Sequence, residues 1–227
     1  MTDVKHLGII MDGNRRWARS RGMPALFGHQ EGYANLKKII RHVFDRGVEV
    51  LTLFAFSTEN WNRPQTEVNH LLSLFTLAFS KDIDALAQQG LQIRFIGDLS
   101  AFPKPLRDAM DASIESTKNN ARGILNIAVN YGGRDEIVRS IQRIVKSGIA
   151  SEDITEDVVS RFTYTADLPS PDLIIRTSGE YRLSGFLTWQ SVYSELYFTP
   201  KSWPEFSEHD LDAALEEYQN RQRRFGS

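Results

Sequence analysis

Apolar and amphipathic stretches alternate along the chain. Short apolar runs with the length of buried parallel strands predict strands at residues 7–11, 48–56, 91–96, 124–129, 173–175 and 193–198. Apolar residues at helical spacing predict a helix that starts near residue 15 and further helices at 30–46, 66–89, 105–120, 134–146, 156–161 and 207–222. The alternation predicts an α/β fold with a mostly parallel central sheet and helices on both faces.

Local signals support two of the predicted helix ends. Gly47 follows the helix at 30–46, and glycine is common directly after a helix C-terminus. Ser207 and Asp210 have the spacing of a capping box at the start of the last helix. The chain has no internal repeat, low-complexity tract or linker, so we expect one domain over residues 1–227.

Polar clusters follow four of the predicted strands. They cover residues 12–16, 57–63, 130–134 and 176–184. Because the carboxyl ends of parallel strands lie on one rim of a sheet, these clusters can converge. They contain several arginines, a serine hydroxyl and turn backbone N–H groups, but few carboxylates. Arginine binds phosphate through paired hydrogen bonds, so this set favours a site for two diphosphates.

The first cluster, Asp12-Gly13-Asn14, is a turn between a predicted strand and a predicted helix. A helix N-terminus offers free N–H groups and a positive dipole end to phosphate. A carboxylate beside a diphosphate indicates a Mg²⁺ bridge, since Mg²⁺ takes few protein ligands and several phosphate oxygens. The alternative is that this segment is only a tight strand-to-helix turn.

Composition excludes several classes of function. Lys and Arg number 27 against 29 Asp and Glu, so no overall charge favours nucleic acid. Without cysteine the chain has no disulfide, thiolate metal site or cysteine nucleophile. It has no signal peptide and no apolar run near the ~18–20 residues of a membrane span, so we expect a cytoplasmic protein. The glycine motifs of P-loop and dinucleotide-binding proteins are also missing.

Seven segments together resemble the cis-prenyltransferase family, and in particular the bacterial undecaprenyl diphosphate synthases. They are MDGNRRWA, FGH, FSTENWNRP, NYGGR, RTSGEYRLS, WQSVYSELYF and the terminal RRFG, in order and at family spacing along nearly the whole chain. The resemblance implies condensation of isopentenyl diphosphate onto an allylic diphosphate, with a new cis double bond in each round. It also implies a sheet with helices around a hydrophobic tunnel.

The resemblance further implies cofactors and partners. The family uses Mg²⁺ without the DDxxD motif of all-helical prenyltransferases, and no DDxxD occurs here. It implies a homodimer, and a lipid product implies transient contact with the membrane surface, at its inner face. Farnesyl diphosphate is the implied primer. Two alternatives stay open: the same chemistry with a shorter product or another primer, and a non-catalytic subunit of the same fold.

Site residues are implied motif by motif. Asp12 would be the essential acid that places Mg²⁺ on a diphosphate, and Glu195 a second Mg²⁺-associated carboxylate near the dimer contact. Asn60 with Ser57 would help to remove the proton. The remaining substrate-binding residues implied by the motifs are Gly13, Asn14, Arg15, Arg16, Trp17, His29, Thr58, Glu59, Trp61, Arg63, Arg176, Arg182, Leu183, Ser184 and Arg224, the last reaching towards the partner subunit.

Some of these residues also have a purely structural interpretation. Asn60 can cap its own loop, Trp61 can belong to the core, and His29 can be a hydrogen-bonded turn histidine. Arg134 can stabilise only its own helix start, and we leave it out of the site.

Five positions bear on substrate preference. Ala25 stands where relatives have an arginine for the allylic diphosphate, and Arg15 offers a substitute charge. Gly185 replaces an asparagine, which we expect to loosen its turn. Small Ala55 leaves the tunnel open near its mouth, whereas Gly123 stands where long-chain relatives place a bulky residue at the tunnel floor.

Overall fold

The structure, a computed structural model, describes residues 2–78 and 83–221. Its centre is a six-stranded sheet with the order β3-β4-β2-β1-β5-β6, in which every described pair is parallel. The strands are β1 His6–Ile10, β2 Val50–Ser57, β3 Leu91–Ile96, β4 Gly123–Tyr131, β5 Leu173–Arg176 and β6 Glu195–Phe198. The α/β prediction is confirmed, and the described sheet is wholly parallel.

Eight described helices surround the sheet. They are α1 Asn14–Ser20, α2 Ala25–Asp45, α3 Gln65–Leu77, α4 Ile83–Gln88, α5 Lys104–Thr117, α6 Gly133–Lys146, α7 Glu156–Arg161 and α8 Glu208–Asn220. Within the described part of the chain, no helix is both long and apolar enough to cross a membrane.

Side chains that alternate along the strands divide the core between the two faces of the sheet. Leu7 and Ile9 of β1 belong to a large cluster that includes apolar residues of α2, α3, α5 and α8. Ile10 belongs to a smaller cluster on the other face, together with Tyr131, whose hydroxyl donates to Glu136 of α6. Helices therefore cover both faces, as the strand and helix pattern predicts.

Helix α2 begins earlier than the sequence predicts. We expected residues 30–46, with a turn position for His29 as one alternative, but the helix starts at Ala25 and contains Gly28 and His29. A Cβ at Gly28 would lie 1.9 Å from the Asn14 backbone oxygen, so glycine allows α1 and α2 to approach closely. Glycine has a low helix propensity, and tertiary packing overrides it here.

The remaining boundaries agree within a few residues. Thr58–Asn62 forms a short 3₁₀ helix inside the predicted polar loop. The helix predicted at 66–89 corresponds to α3 and α4, and residues 79–82 between them lie outside the described residues. The capping box is confirmed, because Ser207 Oγ accepts from Asp210 N and the Asp210 carboxylate accepts from Ser207 N.

Candidate active site

Four strand ends meet on one rim of the sheet. Asp12 follows β1, Ser57 ends β2, Gly132 follows β4 and Arg176 ends β5. These four strands are direct neighbours, and Ile10 pairs in register with Arg176. The predicted convergence of the polar clusters is therefore confirmed.

A cavity of about 1170 Å³ opens at this rim. Its mouth is polar, and the predicted site residues that line it are Asp12, Gly13, Asn14, Arg15, Arg16, His29, Ser57, Thr58, Glu59, Asn60, Arg63, Arg176, Leu183 and Ser184. Its interior is apolar and is bordered by Leu36, Ile40, Leu53, Ala55, Leu71, Leu74, Phe75, Ala78, Leu86, Leu125 and Ile127. The cavity thus joins a polar, arginine-containing rim to an apolar interior, as expected of the hydrophobic tunnel.

Asp12 is held at the mouth by two arginines. Its Oδ2 accepts from Arg176 Nη2 at 3.0 Å and lies 3.3 Å from Arg16 Nη2, while its Oδ1 accepts from Gly13 N at 2.7 Å. The side chain keeps 32% of its surface exposed. The carboxylate is therefore fixed in orientation and still accessible from the cavity.

Arg176 is almost fully buried, with 4% of its surface exposed. Besides Asp12, its Nη1 donates to Ser184 Oγ at 2.8 Å and to the backbone oxygen of Arg182. Its Nε has no hydrogen-bond partner among the described residues. A buried guanidinium with an unused donor beside a cavity is able to bind an anion, and the predicted contact of Arg176 with substrate remains a prediction.

A second charge cluster is centred on Glu67 of α3, which is buried. Its Oε1 accepts from Arg63 Nη1 at 2.9 Å and lies 3.1 Å from His29 Nε2, and its Oε2 lies 3.6 Å from Arg15 Nε. Burial opposes ionisation of Glu67, but the His29 hydrogen bond and the two guanidinium groups lower its pKa overall. Glu67 therefore orients three residues of the cavity mouth.

Burial has the larger effect on His29. It lowers the pKa of the imidazole, and the hydrogen bond to Glu67 opposes this only in part. The interpretation of His29 as a hydrogen-bonded residue is correct, although the residue lies in a helix rather than a turn, and it also lines the cavity.

Ser57 and Asn60 form one unit on the cavity wall. The backbone N–H of Ser57 donates to Asn60 Oδ1 at 3.2 Å, so Asn60 does cap its loop. Both residues also line the cavity. The structural and the functional interpretation of Asn60 are compatible.

Comparison with known proteins shows that the chain is similar to prenyl-transferring enzymes. A family model described as undecaprenyl diphosphate synthase matches residues 10–226. An isoprenyl transferase of Clostridium perfringens is 49% identical over 226 residues, covering 98% of this chain and 89% of that protein. The farnesyl-diphosphate-specific ditrans,polycis-undecaprenyl-diphosphate synthase of Legionella pneumophila is 45% identical, covering 98% and 95%.

The chain belongs to the undecaprenyl diphosphate synthase family. The crystal structure of lavandulyl diphosphate synthase from Lavandula x intermedia, in complex with dimethylallyl diphosphate, agrees with a TM-score of 0.94 at 39% identity, covering 99% of this chain and 98% of that one. The predicted family and the predicted transfer of prenyl groups with chain elongation are confirmed.

Two tryptophans of the family motifs do not border the cavity. Trp61 donates from Nε1 to Asn130 Oδ1 at 2.8 Å, and its ring packs edge-on against Phe56. Trp17 lies under the Arg21 guanidinium, 4.4 Å from the ring centroid. Trp61 packs against the core, and the predicted contact of both residues with substrate remains a prediction.

Two charged motif residues, Arg182 and Glu195, do not line the cavity, and a third lies outside the described residues. The Arg182 side chain is mostly exposed and pairs with Glu180. Glu195 pairs with Arg221 at 2.9 Å and lies at the amino end of β6, the end of the sheet opposite the rim. Arg224 lies outside the described residues. The family roles of these three residues remain predictions.

The structure adds residues that sequence reasoning left out. Arg134, Arg19 and Thr188 also line the cavity, so Arg134 does more than start its own helix. Glu67 was missed as well. The spacing of Arg63 and Glu67 at the start of a helix was the available signal, since residues four apart share a helix face.

The turn at Gly185 is hydrogen-bonded, and the loosening that we expect relative to asparagine stays a prediction. Its φ is +79°, a conformation that glycine adopts freely, and its backbone oxygen accepts from Gly133 N at 2.7 Å. The turn that carries Ser184 is thus tied to the start of α6. Arg15 has the position expected of a substitute charge, at the cavity mouth beside Glu67.

Proposed function

We propose that the chain condenses isopentenyl diphosphate repeatedly onto farnesyl diphosphate and releases undecaprenyl diphosphate. The observation that carries this proposal is the Asp12–Arg176 pair at the polar mouth of a cavity with an apolar interior. Arginines at the mouth suit diphosphates, and the interior suits a growing hydrocarbon chain. The farnesyl-specific relative from Legionella supports this choice of primer.

The reaction replaces a carbon–oxygen bond by a carbon–carbon bond. The bond between C1 of the primer and its diphosphate breaks, and the diphosphate keeps the electron pair. C4 of isopentenyl diphosphate then bonds to C1, and a proton leaves C2 to form the new double bond. Arg16 and the start of α1 at Asn14 place positive charge where the departing diphosphate gains negative charge.

The second substrate and the proton have their own residues. Arg176 and Ser184 form a hydrogen-bonded pair at the mouth and are suited to clamp the diphosphate of isopentenyl diphosphate, with Arg182 nearby on the same turn. The Ser57–Asn60 unit lies on the wall of the same cavity. We assign it the hydrogen bonding that assists proton removal, with diphosphate oxygen as the final acceptor.

A magnesium ion fits the donor set of this mouth. Asp12 offers one accessible carboxylate, and Mg²⁺ commonly combines one or two carboxylates with substrate phosphate oxygens and water. Among the described residues, no three His, Asp or Glu side chains form a metal-binding group. When bound, the ion neutralises diphosphate charge. A second ion at Glu195 requires that Arg221 release its carboxylate.

The homodimer has a candidate interface on α6. Val138, Ile141 and Val145 follow one another on one face of this helix and are 52%, 50% and 69% exposed. An apolar helix face of this kind indicates a protein contact. Ile141→Glu is expected to convert dimer to monomer in sedimentation equilibrium, whereas Ile154→Glu, at another exposed isoleucine, should not. Equal behaviour of the two variants excludes this face.

Release of a lipid product suggests a membrane contact near the mouth, at the inner face of the cytoplasmic membrane. Met23, between α1 and α2, and Phe27, on α2, are exposed. Both are close in sequence to Arg19, which lines the cavity. Apolar and basic side chains together favour an anionic lipid surface. Phe27→Asp should reduce co-sedimentation with phosphatidylglycerol vesicles, and Ile154→Asp should not. Unchanged binding of Phe27→Asp argues against this contact.

A shorter product is the second candidate. The similarity to lavandulyl diphosphate synthase favours it, because an enzyme named for a shorter prenyl diphosphate has the same fold as this chain. Product length and primer therefore need a direct measurement.

The test uses radiolabelled isopentenyl diphosphate with farnesyl, geranyl or dimethylallyl diphosphate. We expect the highest incorporation with farnesyl diphosphate, products near eleven isoprene units, and loss of activity with EDTA that Mg²⁺ restores. Products of a few units with every primer support the second candidate. Full activity in EDTA contradicts the metal assignment, and no incorporation with any primer supports the non-catalytic alternative.

A further inference from the structure

The inner end of the cavity is defined by two elements. On α2 the lining residues recur on one face, and the last of them is Ile40. On β4 the lining residues are Ile127 and then Leu125. From His29 to Ile40 the cavity follows α2 for about 16 Å, at about 1.5 Å per helical residue. Beyond Ile40 and Leu125, neither α2 nor β4 contributes a further lining residue on these faces.

The next position on each of these faces is Phe44 on α2 and Gly123 on β4. Phe44 lies one helical turn beyond Ile40, and Gly123 lies two residues before Leu125 and so on the same side of the strand. A Cβ at Gly123 would lie 2.6 Å from Phe44 Cε1 and 2.7 Å from its Cδ1. The phenyl ring therefore occupies the space that a side chain at residue 123 would need.

Phe44 is a core residue whose sequence neighbour is charged. Its own exposure is only 6%. Directly beside it in sequence, Asp45 accepts from Arg122 Nη2 at 2.5 Å, and both charged side chains are partly exposed. Partly exposed charged residues thus adjoin both Phe44 and Gly123 in sequence.

We propose that Phe44, accommodated by the missing side chain of Gly123, closes the cavity and sets the length of the prenyl chain. This inference rests on the proposed function and deepens it. The small residue at 123 does not leave the tunnel floor open, because the bulk comes from α2 instead. The ring of Phe44 and an isoprene unit contain similar numbers of carbon atoms, so removing the ring makes room for about one more unit.

The experiment compares product lengths from farnesyl diphosphate and isopentenyl diphosphate for four proteins. Phe44→Ala should shift the main product by one or more isoprene units towards longer chains. The double variant Phe44→Ala/Gly123→Leu should restore the wild-type length, because the new side chain refills the space from β4. Phe102→Ala is the matched control. It removes a similarly buried ring that is not among the atoms nearest to Gly123, and it should leave product length unchanged.

Two further measurements keep the outcome decisive. If Phe44→Ala does not fold, Phe44→Leu removes less bulk and should give a smaller shift in the same direction. The affinity for prenyl diphosphates of increasing length is measured by tryptophan fluorescence. The longest chain that binds without loss of affinity should be longer for Phe44→Ala than for the wild type. A wild-type protein that elongates normally, with product length and binding limit unchanged by Phe44→Ala, overturns this inference alone. A wild-type protein that does not elongate overturns the proposed function.

Discussion

Glu67 is the residue whose importance is most visible in the structure and least visible in the sequence. It is buried, and it balances the charges of Arg63 and Arg15 while orienting His29. The sequence motifs place these three residues in the site but do not show what holds them. Glu67 reaches His29 because α2 and α3 are in contact. A single sequence carries no direct signal of such a contact between helices.

Replacing Glu67 by Gln leaves two guanidinium groups without their buried partner. Breaking a buried ion pair by removing one member generally costs about 3–5 kcal/mol. We expect Glu67→Gln to lower the free energy of unfolding by about 3 kcal/mol in urea denaturation. Glu205→Gln, which breaks the exposed pair with Arg21, should change it by less than about 1 kcal/mol. If both variants lose the same free energy of unfolding, the buried contacts of Glu67 contribute no more than an exposed ion pair, which contradicts this prediction.

At the scale of elements, the strand and helix pattern predicted most of the fold. Buried parallel strands are continuous apolar runs, so five of the six predicted strands correspond closely to observed ones and the last, short strand is trimmed to Glu195–Phe198. The predicted start of α2 was too late, because Gly28 has a low helix propensity and indicates a break before residue 30. Only the close approach of Gly28 to the Asn14 backbone explains why the helix extends through Gly28 and His29.

The capping box of α8 gives a prediction at this scale. Ser207 Oγ accepts from Asp210 N at 3.3 Å, and this helix packs Leu211 and Leu215 into the core. Ser207→Ala should lower the free energy of unfolding by about 1 kcal/mol in urea denaturation. Ser73→Ala, in the exposed middle of α3, is the control and should stay within about 0.5 kcal/mol. No difference between the two variants contradicts the contribution of the cap.

For the whole molecule, the parallel sheet explains why the site could be predicted at all. The four polar clusters are far apart in sequence, but they follow neighbouring parallel strands and therefore meet on one rim. The depth of the cavity could not be predicted in the same way. It depends on how the Phe44 ring packs against Gly123, and periodicity does not report which side chain fills a given space.

Two buried histidines predict how stability depends on pH. Burial lowers the pKa of both His6 and His29 below the ordinary value of 6.5, so the unfolded chain binds protons that the folded chain does not. Stability is therefore complete above pH 6.5 and falls as the pH decreases below it. Glu67, with a pKa below 4.5, acts in the same direction at lower pH.

Urea denaturation at several pH values checks this expectation. The free energy of unfolding should decrease as the pH falls from 6.5, and His29→Gln should reduce the slope. A free energy that stays constant or rises on acidification contradicts the burial argument for both histidines.

The most direct test of the account is the rate of prenyl transfer without the Asp12 carboxylate. Steady-state incorporation of isopentenyl diphosphate onto farnesyl diphosphate is measured for the wild type, for Asp12→Asn and for Asp212→Asn, whose carboxylate pairs with His42 and Arg46 outside the site. We predict that Asp12→Asn lowers kcat/KM by about a thousandfold or more with an unchanged circular dichroism spectrum, while Asp212→Asn keeps nearly full activity. Near wild-type turnover by Asp12→Asn would contradict the account, because the reaction would then not depend on the mouth of this cavity.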